Sequence, residues 1–168
     1  MRSLVVSFFV LCFAVAGYSQ QVLKPGNPAP DFAVQSLDGQ LYSLSHLQGK
    51  VVVLTFWSTR CEICHSEIPK LNRVADRYRG QDVVFLGVTM DNQVKIEPYL
   101  RRTPFNFNIL PNSFDILLKY ADRDGSGNIN IGFPAYFVID RGGRIQMRSS
   151  GWDKSSNLDS EIGKLLSE

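Results

Sequence analysis

The sequence has few cysteines, few histidines and no excess of charge of one sign. Its 168 residues include three Cys and two His, and 18 Lys and Arg stand against 16 Asp and Glu, which gives a net charge of +2. Three cysteines are too few for a disulfide scaffold, and a nucleic-acid binder would need a concentrated basic face. Hydrophobic residues make up 44% of the chain and aromatic residues 11%. This composition argues against disorder and predicts one globular domain.

The N-terminus carries the one long apolar run of the sequence. Arg2 is the only charged residue before this run, which extends over residues 4–16 and is followed by small residues. The run is shorter than the roughly 20 apolar residues that span a bilayer. The pattern therefore favours a cleaved secretory signal peptide over residues 1–19 and a mature domain over residues 20–168, with an uncleaved membrane anchor as the alternative.

Cleavage would remove Cys12 and leave Cys61 and Cys64 in an exported protein. The loop between these two is too short for a structural disulfide to gain much stability. We interpret the pair as a disulfide that is made and broken.

The segments around the two cysteines predict a strand, a helix and a second strand. Residues 51–57 are apolar and rich in β-branched side chains, as in a strand buried on both faces. Apolar residues recur at helical spacing from Cys64 to Tyr78, and residues 83–89 form a second buried strand. A right-handed βαβ unit is therefore expected.

Other local signals predict the remaining elements. Turn residues predict one hairpin at Asp38-Gly39 and another at Gly142-Gly143. Pro98 is expected to open a short helix and Asn112 to cap a second one. Ser156 or Asn157 is expected to cap a final helix.

The position of the cysteines assigns each of them a chemical role. Cys61 falls at the first turn of the predicted helix, where unpaired N–H groups and the positive end of the helix dipole favour a thiolate. Arg60 favours the thiolate as well, whereas Glu62 opposes it. Cys64, one turn on, points inward and can reach the sulfur of Cys61. We expect Cys61 to attack a substrate disulfide and Cys64 to resolve the mixed disulfide.

Several short motifs follow one another along the chain. They are residues 27–32 (NPAPDF), 44–50 (LSHLQGK), 56–57 (FW), 61–64 (CEIC), 67–69 (EIP) and 132–140 (GFPAYFVID). In this order they resemble the TlpA/ResA-like thioredoxins, which are exported thiol-disulfide oxidoreductases with an AhpC/TSA-Redoxin type of thioredoxin fold. The resemblance covers residues 22–167. It implies an α/β fold with a central mixed β-sheet flanked by helices, an N-terminal β-hairpin and a mid-chain insertion around residues 90–115.

The resemblance also implies roles for residues outside the CxxC motif. Pro134 matches the family's cis-proline beside the cysteines, and the backbone of Phe133 would be free to pair with an extended substrate segment. Trp57 should pack near the sulfurs. Glu67 matches a glutamate near the active site. Buried and with a raised pKa, it could take the proton of the Cys64 thiol.

The chain departs from the family pattern at three positions. Arg60 replaces the tryptophan that usually precedes the first cysteine, Ile63 fills the second slot between the cysteines, and Thr55 stands where thioredoxin has a buried Asp. These changes bear on the redox potential and on the substrate surface, to which we assign Trp57 and Arg60 together with the residues around the cis-proline.

The resemblance implies an enzyme without cofactor or metal that acts in the periplasm or elsewhere outside the cytoplasm. Its expected partners are thiols and disulfides of exported proteins, with a membrane thiol-electron donor to keep it reduced. Similar proteins reduce apocytochrome c, so cytochrome c biogenesis is one expected role. We expect a monomer that binds no nucleic acid. A disulfide-forming oxidant and a thiol-dependent peroxidase are the alternatives.

Two further patterns suggest ligands. With His65, the motif satisfies the C-x-x-C-H haem-attachment pattern, with Met90 or Met147 as a distal ligand, and the same side chains could hold a soft metal ion. The predicted strands around the motif disfavour haem attachment. A metal ion is disfavoured because no other cysteine supplies a fourth ligand and a proline beside the thiols would crowd it. Residues 122–129 resemble the start of an EF-hand loop, but Phe133 replaces the glutamate of position 12. A turn-rich surface loop is favoured over a Ca²⁺ site.

Overall fold

A five-stranded mixed sheet organises residues 22–168, the part of the chain that this computed structural model describes. The predicted signal peptide over residues 1–19 lies outside the described residues. The strands are β1 (Ala33–Gln35), β2 (Leu41–Ser43), β3 (Val51–Phe56), β4 (Val83–Val88), β5 (Asn108–Leu110), β6 (Asp122–Arg123), β7 (Ile129–Asn130), β8 (Ala135–Ile139) and β9 (Ile145–Ser150). The α-helices are α1 (Glu62–Arg77), α2 (Gln93–Leu100), α3 (Phe114–Tyr120) and α4 (Leu158–Ser167).

The central sheet has the strand order β5-β4-β3-β8-β9. Strand β3 pairs parallel with β4 on one side and antiparallel with β8 on the other. All of its side chains are buried because helices cover both faces of the sheet, which explains why Thr55 is its only polar residue. The predicted thioredoxin fold with a mixed sheet is confirmed, and so is the N-terminal hairpin, formed by β1 and β2.

Side chains of β3 point alternately into two hydrophobic cores. Val52, Leu54 and Phe56 pack with α3 and with residues of the N-terminal segment. Val51 and Val53 pack with α1 and α4 on the opposite face. The period-2 alternation of a strand thus fixes which helices lie on each face.

Helix α2, in the mid-chain insertion, begins at Gln93 and not at Pro98 as the sequence pattern indicates. Helix α2 is capped by Asn92, whose side chain accepts a hydrogen bond from the backbone of Lys95, and Pro98 lies inside the helix. The prediction that Pro98 opens this helix is therefore wrong. The Asn cap satisfies the first free N–H groups upstream of the proline, so the helix starts there.

The starts of the last two helices also differ from expectation in detail. Asn112 has a φ of 53° and forms a left-handed turn, while Ser113 occupies the N-cap of α3, so the prediction of an Asn112 cap is wrong. Asn tolerates this backbone region better than most residues. Asn157 does stand at the N-cap of α4, but its side chain makes no capping hydrogen bond there.

The EF-hand-like segment folds as a small hairpin of β6 and β7. Both carboxylate oxygens of Asp122 accept hydrogen bonds from Arg148. Asp124 accepts them from the backbone of Ser126 and from Asn128. Over residues 22–168, no group of three or more His, Cys, Asp or Glu side chains is arranged to hold a metal ion.

No α-helix within residues 22–168 combines the length and the apolar character needed to cross a membrane.

Candidate active site

The two predicted redox cysteines lie at the start of α1 and are joined in a disulfide. Cys61 occupies the N-cap position, and its sulfur accepts a hydrogen bond from the backbone N–H of Cys64 at 3.1 Å. Cys64 is buried, with 1% of its surface exposed, whereas Cys61 is half-buried. Only the outer sulfur is therefore accessible to a partner, and a thiolate formed there would be stabilised by the helix N-terminus.

The cis-proline lies at the same end of the sheet as the disulfide. The Phe133–Pro134 peptide bond is cis, as the resemblance implies. Phe56, the last residue of β3, pairs with Ala135, the first residue of β8. The chain that leads into Cys61 and the chain that leaves Pro134 therefore meet at this edge. The side chain of Phe133 packs against the cluster that contains Cys64.

Trp57 supports the disulfide from beneath the protein surface. It shares a hydrophobic cluster with Cys64, as expected. The centroid of its ring lies 4.6 Å from the ring centroid of Phe105 and 5.3 Å from that of Tyr99. A Cβ atom added at Gly87 would lie 3.1 Å from the indole nitrogen, so the glycine makes room for the ring. The assignment of Trp57 as a direct substrate contact needs correction, because the side chain is fully buried.

The exposed surface beside the disulfide consists of residues on either side of Cys61. Arg60 and Ile63 are both exposed, the latter with 39% of its surface. His65 is exposed as well, and its Nε2 lies 3.2 Å from the carbonyl oxygen of Thr59. These positions, two of which (residues 60 and 63) depart from the family pattern, form the exposed surface beside the disulfide.

Glu67 is fully buried, as expected, but its pKa moves in the opposite direction from the predicted one. Burial raises the pKa of this carboxyl, yet hydrogen bonds from Lys70 and Ser155 and the charge of Lys70 lower it more, so the net pKa lies below its usual value. The Lys70 ammonium lies 2.8 Å from Oε1. The prediction of a raised pKa is wrong because it overlooked this cation, which stands at i+3 on the same helix.

The Glu67 carboxylate also anchors α1 to the segment that precedes α4. Its second oxygen accepts a hydrogen bond from the Ser155 hydroxyl, and the Tyr136 hydroxyl lies 3.5 Å away. Lys70 continues the network to Asp153 at 2.8 Å. Burial raises the pKa of Tyr136, and the charge of Glu67 raises it further. Tyr136 therefore remains a neutral hydrogen-bond donor beside the carboxylate.

Asp91 is a site residue that the sequence analysis missed. It is 9% exposed, and its Oδ2 accepts hydrogen bonds from Ser58 Oγ at 3.1 Å and from the backbone N–H and hydroxyl of Thr59 at 2.8 and 3.0 Å. Burial raises the pKa of Asp91, but these hydrogen bonds and the charge of Lys95 leave it below its ordinary value. No local pattern could reveal the contact, since more than 30 residues separate Asp91 from the turn.

Haem attachment would use Cys61 and Cys64 as free thiols that form thioether bonds, and a metal ion would bind them as thiolates. In this structure the two sulfurs are bonded to each other. Met147, proposed as a distal haem ligand, packs against the core formed with α1 and α4.

We predict that Glu67→Gln lowers stability in a pH-dependent way. The pKa of Glu67 is lower in the folded protein than its ordinary pKa of 4.5. The ionised carboxylate therefore stabilises the fold at any pH above 4.5, and this stabilisation is lost as the pH falls through the lower pKa of the folded state. Urea unfolding should show a loss of about 1–3 kcal/mol near pH 7 that shrinks below pH 4.5. The exposed control Glu97→Gln should show no such trend. A pH-independent loss in Glu67→Gln would contradict the assignment.

The sequence and the fold both match known thiol-disulfide oxidoreductases. A model of the AhpC/TSA family matches residues 25–148. The thiol-disulfide oxidoreductase ResA of Geobacillus kaustophilus is 31% identical over 139 residues, which are 82% of this chain and 75% of that protein. ResA of Bacillus cereus is 26% identical over 170 residues and covers 96% of this chain and 94% of the relative.

Solved structures give the same result. A Chlorobium tepidum protein described as a DsbE thiol:disulfide interchange protein superimposes with a TM-score of 0.73 at 26% identity, covering 86% of this chain and 99% of that one. A Bacteroides thetaiotaomicron protein described as a protein disulfide isomerase gives a TM-score of 0.76 at 27% identity, with 88% and 92% covered. The chain belongs to the AhpC/TSA family, and within it to the thioredoxin-fold thiol-disulfide oxidoreductases of the ResA type.

Proposed function

We propose that this oxidoreductase is exported and reduces disulfides of proteins outside the cytoplasm through Cys61 and Cys64. The observation that carries the proposal is the asymmetry of the pair. A half-buried sulfur caps the N-terminus of α1, and a buried sulfur one turn further is bonded to it. This arrangement suits a two-step exchange in which only one sulfur meets the substrate.

The reaction balances as two successive sulfur displacements. In the reduced protein, the Cys61 thiolate attacks a disulfide of the partner, forms a mixed disulfide and releases one partner thiolate, which takes up a proton. Cys64 then loses its proton and attacks the sulfur of Cys61. The second partner thiol leaves, the Cys61–Cys64 disulfide forms, and two electrons have passed to the partner.

Residues around the cysteines have distinct roles in this proposal. Arg60, the backbone of Phe133 and the ring of Pro134 would contact an extended partner segment, since they lie at the edge where β8 begins. The carbonyl oxygen of Pro134 is already bonded to the backbone N–H of Gly151, so the hydrogen bonds to the partner would come from Phe133. Glu67 lies at i+3 from Cys64 on α1 and is ionised at neutral pH, so it would accept the proton that Cys64 releases. Its lowered pKa makes it a weak base that passes the proton on readily.

Two further parts of the proposal, that the protein is exported and that it acts as a reductant, are argued from separate observations. The apolar N-terminal pattern supports export, and curated relatives carry the name ResA. Glu62 beside Cys61 disfavours the thiolate, and this destabilises the dithiol form relative to the disulfide. A reductant in an oxidising compartment needs a thiol donor at the membrane to keep it reduced, and we include such a donor in the proposal.

The two cysteine variants should behave differently. Cys61→Ala should abolish reduction of a small disulfide, because no accessible sulfur remains. Cys64→Ala should accumulate mixed disulfides with partners, because resolution is lost. Non-reducing electrophoresis and mass spectrometry of trapped adducts would distinguish them. Equal trapping by both variants would contradict the assigned roles.

Equilibration of the protein with graded glutathione buffers should give a reducing potential. We expect a value nearer to that of thioredoxin, about −270 mV, than to that of DsbA, about −120 mV. A potential near the DsbA value would instead support a disulfide-forming oxidant.

Glu67→Gln should also shift the pH dependence of the resolving step to higher pH, because the acceptor of the Cys64 proton is lost. Stopped-flow reduction of a small disulfide between pH 5 and 9 would measure it. The control Asp153→Asn breaks the Lys70–Asp153 pair and keeps the Glu67 carboxylate. An unchanged profile in Glu67→Gln would leave this residue with a structural role only.

A further inference from the structure

The loop after β4 holds the turn that leads into the nucleophilic cysteine. Asp91 in this loop accepts three hydrogen bonds from that turn through a single oxygen, Oδ2. Two come from Thr59, through its backbone N–H and its hydroxyl, and one comes from the hydroxyl of Ser58. The distances are 2.8 to 3.1 Å, and the carboxylate is almost fully buried. An acceptor of this kind fixes both the backbone and the side chains of the turn.

The turn at Ser58 and Thr59 holds Cys61 in place. The backbone N–H of Cys61 donates to the carbonyl oxygen of Ser58 at 3.1 Å. The carbonyl oxygen of Thr59 lies 3.2 Å from Nε2 of His65, one turn along α1. Thr59 is therefore held at its N–H by the β4 loop and at its carbonyl by the helix. A displacement of this residue would move the N-cap sulfur.

Asp91 is itself held in place by neighbouring strands. Its backbone N–H donates to the Thr89 hydroxyl at 3.2 Å, and its carbonyl oxygen accepts from the backbone of Asn112 at 3.1 Å. Thr89 directly follows β4, and Asn112 lies two residues after β5. The Asp91 carboxylate thus fixes the turn before Cys61 relative to the ends of β4 and β5.

The charge of Asp91 has a second consequence for the sulfur. A negative charge in a nearly buried position beside the turn disfavours a second negative charge on Cys61. The charged and titratable groups around it are Lys95, whose Nζ lies 3.9 Å from Oδ1, His65 beyond Thr59, and the exposed Arg60 and Glu62. Since only the reduced form carries the thiolate, the charge should make the pair more reducing.

We propose that Asp91 is a positioning residue for the nucleophile, which holds the turn at Ser58 and Thr59 in register with α1 and, through its negative charge, favours the disulfide over the dithiol. The inference rests on the proposed function of Cys61 and Cys64 in thiol-disulfide exchange. It adds a residue that touches neither sulfur but sets the position and the redox balance of the outer one.

The experiment compares Asp91→Asn with a matched control, Asp140→Asn. Asp140 also caps a turn, accepting backbone hydrogen bonds from Gly142 and Arg144 at 2.9 and 2.8 Å. It follows Ile139, which pairs with Val52 near the start of β3, so it lies at the opposite edge of the sheet. Three quantities are measured on the full-length protein: the glutathione equilibrium, the pH dependence of Cys61 alkylation, and stability in urea.

Asp91→Asn keeps the size of the side chain and removes its charge. We expect the glutathione equilibrium to shift towards the dithiol by about threefold or more, and the pH midpoint of Cys61 alkylation to fall by the matching half unit. Asp140→Asn should leave both unchanged while it lowers stability in urea. If the two variants have the same equilibrium and the same alkylation profile, the inference is overturned.

Thr59→Val tests positioning without a change of charge, because it removes one hydrogen bond and keeps the carboxylate. It should slow reduction of a small disulfide by about twofold or more and leave the alkylation midpoint in place. Its effect should not add to that of Asp91→Asn, since both act on one network. An unchanged rate would overturn the positioning role even if Asp91→Asn failed to fold. If the wild-type pair itself never equilibrates with glutathione, the proposed function fails, which is a separate result.

Discussion

The pairing of β3 with β8 is the constraint on which the site depends. Because Phe56 lies opposite Ala135, the chain that enters α1 and the cis-proline segment emerge side by side at one edge of the sheet. The helix then begins with Cys61 at its N-cap, and the next turn carries Cys64 into the core. Exposure of one sulfur and burial of the other are therefore consequences of where the strand ends and the helix starts. The exchange chemistry needs both.

Two buried carboxylates flank this edge, and each is kept ionised by its surroundings. Glu67 is stabilised by Lys70 and Ser155 and ties α1 to the segment before α4. Asp91 is stabilised by the turn before Cys61. Burial alone would raise the pKa of either group, but in both cases the hydrogen bonds outweigh it. Each carboxylate therefore acts as a fixed hydrogen-bond acceptor, Glu67 within α1 and Asp91 for the turn that precedes this helix.

Local sequence signals predicted the elements that depend on short-range chemistry. The apolar run at residues 51–56 correctly predicted the central strand β3, and the Asp-Gly and Gly-Gly turns correctly predicted both hairpins. These signals failed where two neighbouring residues could each begin the same helix. Asn92 starts α2 ahead of Pro98, and Asn112 adopts a left-handed turn so that Ser113 takes the cap. A single residue type cannot decide which of several adjacent candidates begins a helix.

The sequence by itself determined the reaction class, because two cysteines at i and i+3 at a strand-to-helix junction favour one chemistry, and the ordered motifs around them indicated the family and the cis-proline. Only the tertiary structure decided which residues distant in the sequence form hydrogen bonds with the two buried carboxylates. The contact of Asp91 with Thr59 joins residues 32 positions apart, and the Ser155 hydroxyl reaches Glu67 across 88 positions. Hydrogen bonds over such separations have no periodic signature in the chain. The pKa of Asp91 could therefore be read only after the sheet had brought these partners together. Burial raises the pKa of Glu67, and the lowering that outweighs it comes first from Lys70, which the i+3 spacing already places beside it, and then from the distant Ser155.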